Sequence, residues 1–87
     1  DLRMSRGLGD VYKRQVLKEG FVSIDMAQNI LVVKTVSGMA MAVAAAIDAM
    51  KYPEIVGSIA GDDTIMMAVR TVEDTKSLMN QILQLVH

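Results

Sequence analysis

Ile55-Val56-Gly57-Ser58-Ile59-Ala60, then Gly61-Asp62-Asp63, then Thr64-Ile65-Met66-Met67-Ala68-Val69: this stretch decides the fold. Two apolar runs of strand length flank a short polar break, the pattern of a β-hairpin. The break sets two carboxylates side by side on a tight turn. Adjacent like charges raise the cost of ionising one another, so the pair either stands in open water or waits for a cation. On spacing alone a plain turn is the favoured reading: Gly supplies unusual backbone angles and Asp tolerates turns.

Upstream, Phe21-Val22-Ser23-Ile24-Asp25-Met26 alternates, which predicts a strand with Val22, Ile24 and Met26 on one face. Ala27-Gln28-Asn29 reads as a hairpin turn, and Ile30-Leu31-Val32-Val33-Lys34-Thr35 as a second, more buried strand. Ser37-Gly38 breaks the pattern. A helix is expected from about Met39 to Met50, rich in Ala, the best helix former, with Asp48 as its one charge. A helix apolar nearly all round is buried on more than one side, and in a chain this small the second side is expected to meet another subunit. Lys51-Tyr52-Pro53-Glu54 ends it, because proline cannot continue a helix.

Downstream, a last helix is expected from about Val72 to Val86. Thr71 and Asp74 resemble a capping pair, and Leu78, Met79, Ile82, Leu83 and Val86 form the apolar stripe. The order strand-strand-helix-strand-strand-helix predicts an α+β fold, a two-layer sandwich with a four-stranded antiparallel sheet and two helices on one face. The ββα unit occurs twice without an internal sequence repeat.

Length and composition bound the rest. Eighty-seven residues make one domain at most. There is no cysteine for a disulfide or a thiolate metal site. The chain is 52% hydrophobic with one Phe, two Tyr and no Trp, much apolar surface for a small body, which suggests burial against other copies. A net charge of -1 argues against nucleic-acid binding by this segment, since phosphate contacts need clustered Lys and Arg. No apolar run is long enough to span a membrane and no secretion signal is evident, so a cytoplasmic location is expected. Residues 1–16 read differently from the body. Met4-Ser5-Arg6-Gly7-Leu8-Gly9-Asp10-Val11-Tyr12-Lys13-Arg14-Gln15 resembles translated sequencing-adapter read-through, with a basic linker as the alternative. Residues 1–16 are therefore expected to be unstructured or artefactual, and residues 17–87 to form the domain.

No catalytic residue stands out. His87, the single histidine, is the last residue, and Ser23, Ser37, Ser58 and Ser77 have no base nearby in sequence. Two carboxylates can hold Mg²⁺ together with a phosphate substrate, and strand-Gly-Asp-Asp-strand resembles the catalytic turn of viral RNA polymerases. That enzyme needs a longer chain and further carboxylates, so neither a metal site nor an enzyme is expected. A guanidinium ligand suits the pair better, because it binds carboxylates bidentately through charge-assisted bonds. Successive residues of an extended turn point apart, so Asp62 and Asp63 would serve two ligand molecules, one in the home subunit and one across an interface.

Val56-Gly57-Ser58-Ile59-Ala60-Gly61-Asp62-Asp63-Thr64-Ile65 closely resembles the C-terminal domain of bacterial arginine repressors. Lys34-Thr35-Val36-Ser37-Gly38-Met39-Ala40 and Phe21-Val22-Ser23-Ile24-Asp25 extend the likeness, which covers about residues 17–87. The resemblance implies a sensor of L-arginine in the transcriptional control of arginine metabolism, with no further cofactor. It implies trimers that pair into hexamers with L-arginine between them. By the same carry-over Asp62 and Asp63 hold the ligand, Ser58 and Ala60 line the site, and Asp48 stands nearby. Met41 departs from the family, which commonly has Gln there. Operator DNA is left to an N-terminal winged-helix domain that these residues do not supply. The alternative is a structural oligomerisation module that has lost its ligand.

Overall fold

The computed structural model describes residues 12–87. Helix α1 covers residues 12–20. It is followed by β1 (Phe21–Ala27), β2 (Ile30–Thr35), α2 (Ala40–Ala49), β3 (Ile55–Ala60), β4 (Thr64–Val69) and α3 (Val72–Val86). The four strands form one sheet in the order β1-β2-β4-β3, every neighbouring pair antiparallel. The expected α+β sandwich is present, with one helix more than the sequence reading counted. Residues 12–16, read as part of an unstructured or artefactual segment, are helical here, and Val16 and Leu17 lie in the core. Residues 1–11 of that segment lie outside the described residues.

Alternation builds the core face of the sheet. Leu31, Val33 and Thr35 of β2 and Ile65, Met67 and Val69 of β4 are buried, each set two residues apart as the pleat requires. Val43, Ala46 and Ile47 of α2 and Leu78 and Ile82 of α3 close over them. Val22 breaks the expected pattern. The register slips between Phe21 and Ser23, so a β-bulge turns Val22 outward, 57% exposed, and Phe21 packs against the core with Ile24 and Met26 instead. In α3 the stripe also shifts: Thr75 is fully buried and Leu85, rather than Leu83, joins the core.

Three turns fix the layout. The β1–β2 hairpin turns at Gln28 and Asn29, with Gln28 at φ 58°. Helix α2 ends at Ala49, and just beyond its cap residue Met50 stands Lys51, whose φ of 57° is left-handed and whose N–H bonds the Asp48 carbonyl at 3.1 Å; the stop therefore precedes Pro53. Thr71 caps α3 as expected, its Oγ1 accepting from Asp74 N at 3.0 Å. Between α2 and β3, burial and the neighbouring Glu54 carboxylate push the Tyr52 hydroxyl pKa up.

Gly20, at the junction of α1 and β1, touches α2 closely. A Cβ there would sit 2.6 Å from Val43 Cγ2, and Val43 is buried and stiff at χ1. Gly20→Ala is expected to destabilise the chain by about 1–3 kcal/mol through overpacking, read as a lower urea midpoint at unchanged slope. A midpoint equal to that of the parent would refute the close contact.

Among the described residues no helix covers the opposite face of the sheet. By register Ile30 and Val32 of β2, Met66 and Ala68 of β4 and Gly57 and Ile59 of β3 share it. Ile59 is 79% exposed and Met66 53%. Among the described residues no helix is long and apolar enough to cross a membrane.

Candidate functional site

The β3–β4 hairpin closes through Gly61 N–H to the Thr64 carbonyl at 2.9 Å. Gly61 does not use its conformational freedom: its φ is not positive, and an added Cβ would meet only the Thr64 carbonyl at 3.8 Å. The turn is nevertheless rigid, because its carbonyls dock on the β2–α2 connection. Asp63 O accepts from Thr35 N at 2.8 Å, and Asp62 O accepts from both Gly38 N at 3.0 Å and Ala40 N at 3.2 Å. Helix α2 lacks a side-chain cap at Met39, and an N-terminus leaves N–H groups to be satisfied from outside. The Asp62 carbonyl does this. Gly38, at φ 81°, makes the bend that brings the two N–H groups to one oxygen, a conformation that favours glycine.

With their backbones fixed, both aspartates present their side chains to solvent. Their surroundings differ. Asp63 Oδ1 accepts from Thr64 Oγ1 at 3.0 Å, and Thr64 Oγ1 accepts from Lys34 Nζ at 3.2 Å. The Asp62 carboxylate makes no side-chain hydrogen bond among the described residues. The positive end of the α2 dipole lies beside the turn and favours negative charge there.

The other expected site residues are only partly gathered within one chain. Ala60, half-buried, ends β3 directly before the turn, and Met41, 72% exposed, sits in the first turn of α2, next to Ala40, whose N–H bonds the Asp62 carbonyl. Ser58 is exposed on the edge strand β3, opposite Met67 in the register. Asp48 is exposed near the other end of α2, about 10 Å along the axis from Met41 at the helical rise. Lys34 and Gly38 adjoin the turn without having been named for it in sequence, and Thr64, next to the acids in sequence, bonds one of them. Lys34 and Thr64 meet because they are directly opposite in the β2–β4 register, a pairing that follows from the strand order rather than from chain proximity. Among the described residues no group of three or more His, Asp or Glu side chains is placed to hold a metal ion.

Comparison with known proteins bears on this arrangement. Residues 17–84 match the family described as "Arginine repressor, C-terminal domain". The chain is 75% identical over 71 residues to the arginine repressor of Lachnospira eligens, covering 82% of this chain and 47% of that protein. It is 62% identical over 81 residues to that of Lachnoclostridium phytofermentans, covering 93% and 53%. It is 42% identical over 72 residues to that of Bacillus subtilis, covering 83% and 48%. The chain thus spans about half the length of the curated relatives it matches. The matched segment takes in the whole sheet, α2 and nearly all of α3, together with the acidic turn and the connection it docks on, and so the chain belongs to the arginine repressor C-terminal domain family.

Proposed function

We propose that this chain is the L-arginine-sensing and oligomerisation part of a cytoplasmic transcriptional regulator of arginine metabolism. The observation that carries this reading is the acidic turn. Its backbone is held by three hydrogen bonds, from Thr35 at the end of β2, Gly38 in the connection and Ala40 at the start of α2, while the Asp62 carboxylate is exposed and makes no side-chain hydrogen bond among the described residues. A carboxylate pre-set on a rigid turn binds a guanidinium without first ordering its own backbone, and guanidinium matches carboxylate geometry bidentately. Asp62 and Asp63 hold the ligand, Ala60 and Met41 border it, and Ser58 and Asp48 complete the site through neighbouring copies. Self-association as trimers that pair into hexamers supplies those copies, and the apolar sheet face that no described helix covers is surface that association would cover. Arginine between trimers relieves the repulsion of the paired carboxylates and tightens the assembly, a linkage of ligand to oligomer. Operator DNA is contacted through a winged-helix part that precedes this segment in the intact regulator. The role is regulatory, not catalytic.

Calorimetry on the 87-residue chain with L-arginine and L-citrulline tests the reading. Citrulline keeps the shape and lacks the charge. Arginine is expected to bind at least about tenfold more tightly, as loss of a charge-assisted pair implies. Equal binding of both, or of neither, removes the carboxylate–guanidinium basis.

Met41 favours a second reading, a structural module without a ligand. At 72% exposure it offers the site an apolar surface and no amide. Under that reading the mass seen by light scattering ignores both arginine and Asp62→Asn.

A further inference from the structure

We propose that Thr64 is a positioning residue that makes the two adjoining aspartates unlike: it presets Asp63 and leaves Asp62 as the adaptable carboxylate. The inference rests on the arginine-sensing reading for its functional consequence, and on hydrogen-bond logic for its geometry. A hydroxyl has one proton to donate and two lone pairs to accept with. Lys34, directly across the β2–β4 ladder, can only donate, and does so to Thr64 Oγ1 at 3.2 Å. The hydroxyl proton is then left for Asp63 Oδ1, which stands 3.0 Å away and, ionised, can only accept. The direction of the chain Lys34 to Thr64 to Asp63 is therefore fixed by donor and acceptor count alone.

Asp62 has no such tether among the described residues. Its carbonyl is doubly bonded, at Gly38 N and Ala40 N, but its carboxylate is free to turn. One acid of the pair is thus ordered before any ligand arrives, and the other adjusts to it. All three side chains of the tether are wholly or partly open to solvent, where such bonds add little to fold stability. What the tether changes is orientation: an ordered acceptor spares rotamer entropy that binding would otherwise cost.

The test is a double-mutant cycle on the full chain, read by calorimetry with L-arginine. Thr64→Val keeps the β-branched shape and removes the hydroxyl; it is expected to weaken binding about tenfold, the size of effect for a lost bond to a charged group. Thr64→Ser restores binding to within about twofold. In an Asp63→Asn background, Thr64→Val changes the affinity by less than about twofold, because its effect runs through Asp63. Equal losses in both backgrounds, or no loss in the parent, overturn the inference. Three-bond χ1 couplings measured without arginine give a second readout: one rotamer at Asp63, averaging at Asp62, and averaging at both after Thr64→Val. A parent chain that binds no arginine overturns the sensing reading. Averaging at Asp63 in the parent overturns the positioning role, whatever arginine does.

Discussion

Asp62→Asn is expected to weaken L-arginine binding by about 100-fold, which corresponds to roughly 2.7 kcal/mol. Asparagine keeps the shape of aspartate and one acceptor oxygen, but its amide nitrogen presents two donors to a guanidinium that only donates. The variant therefore loses the charge and gains a donor–donor conflict. The fold has little reason to respond. It is the Asp62 carbonyl, not its carboxylate, that bonds Gly38 and Ala40, and the side chain is exposed. A melting temperature close to that of the parent, beside a large loss of affinity, is the expected signature. Salt supplies a cross-check: with a Debye length of about 10 Å at 0.1 M ionic strength, raising salt should weaken the parent's binding more than the variant's. An affinity within about threefold of the parent would show that Asp62 does not carry the cation, since a lost charged contact exceeds that.

The largest loss of stability is expected from Leu78→Ala. Leu78 is fully buried in α3 against the sheet, and truncating such a leucine removes its transfer free energy and leaves a cavity, together about 2–5 kcal/mol. In a domain of this size each kcal/mol lowers the melting temperature by roughly 4–8 °C. A fall of about 8 °C or more is therefore expected by differential scanning calorimetry at fixed protein concentration, which matters because self-association would shift the midpoint. Leu83→Ala is the matched control. Leu83 falls on the same predicted stripe, but it is only half-buried and does not pack with the core cluster, so its loss should be less than half as large. Equal effects at Leu78 and Leu83 would mean that α3 is rotated from the orientation described.

Apolar runs of strand length, the breaks between them and one helical stripe made most of this fold legible. The runs Ile30–Val33 and Ile65–Val69 announce strands without saying which residues face the core, the stripe of Leu78 and Ile82 announces the buried side of α3, and Thr71 announces its start by a hydroxyl three residues before Asp74. The reading failed where one residue leaves the period. Val22 looks like the partner of Ile24, and only the strand pairing reveals the bulge that turns it outward. Helix α1 escaped because its apolar content is brief: Val16 and Leu17 are buried, yet they adjoin a stretch of basic residues and glycine without a helical stripe. At the site, the side chains of Asp62 and Asp63 could be named from their position on the turn. The carbonyl of Asp62 could not, because every residue has one. Nor could the Lys34–Thr64 bond, which spans thirty positions of sequence and depends on β4 inserting between β2 and β3.

The Asp62 carbonyl also sets an order of events during synthesis. The first turn of α2 is completed by an oxygen encoded more than twenty residues after Gly38, on a hairpin that must itself pair with β2. A nascent chain released only as far as Glu54 holds an α2 whose leading N–H groups face water, and its apolar sides have neither β3 nor β4 to lie on. Loop closure must come before that reward. Helix α2 therefore matures late, with the hairpin rather than before it, and a chain that has emerged from the ribosome only to between residues 54 and 62 would display its alanine-rich surface to chaperones and proteases.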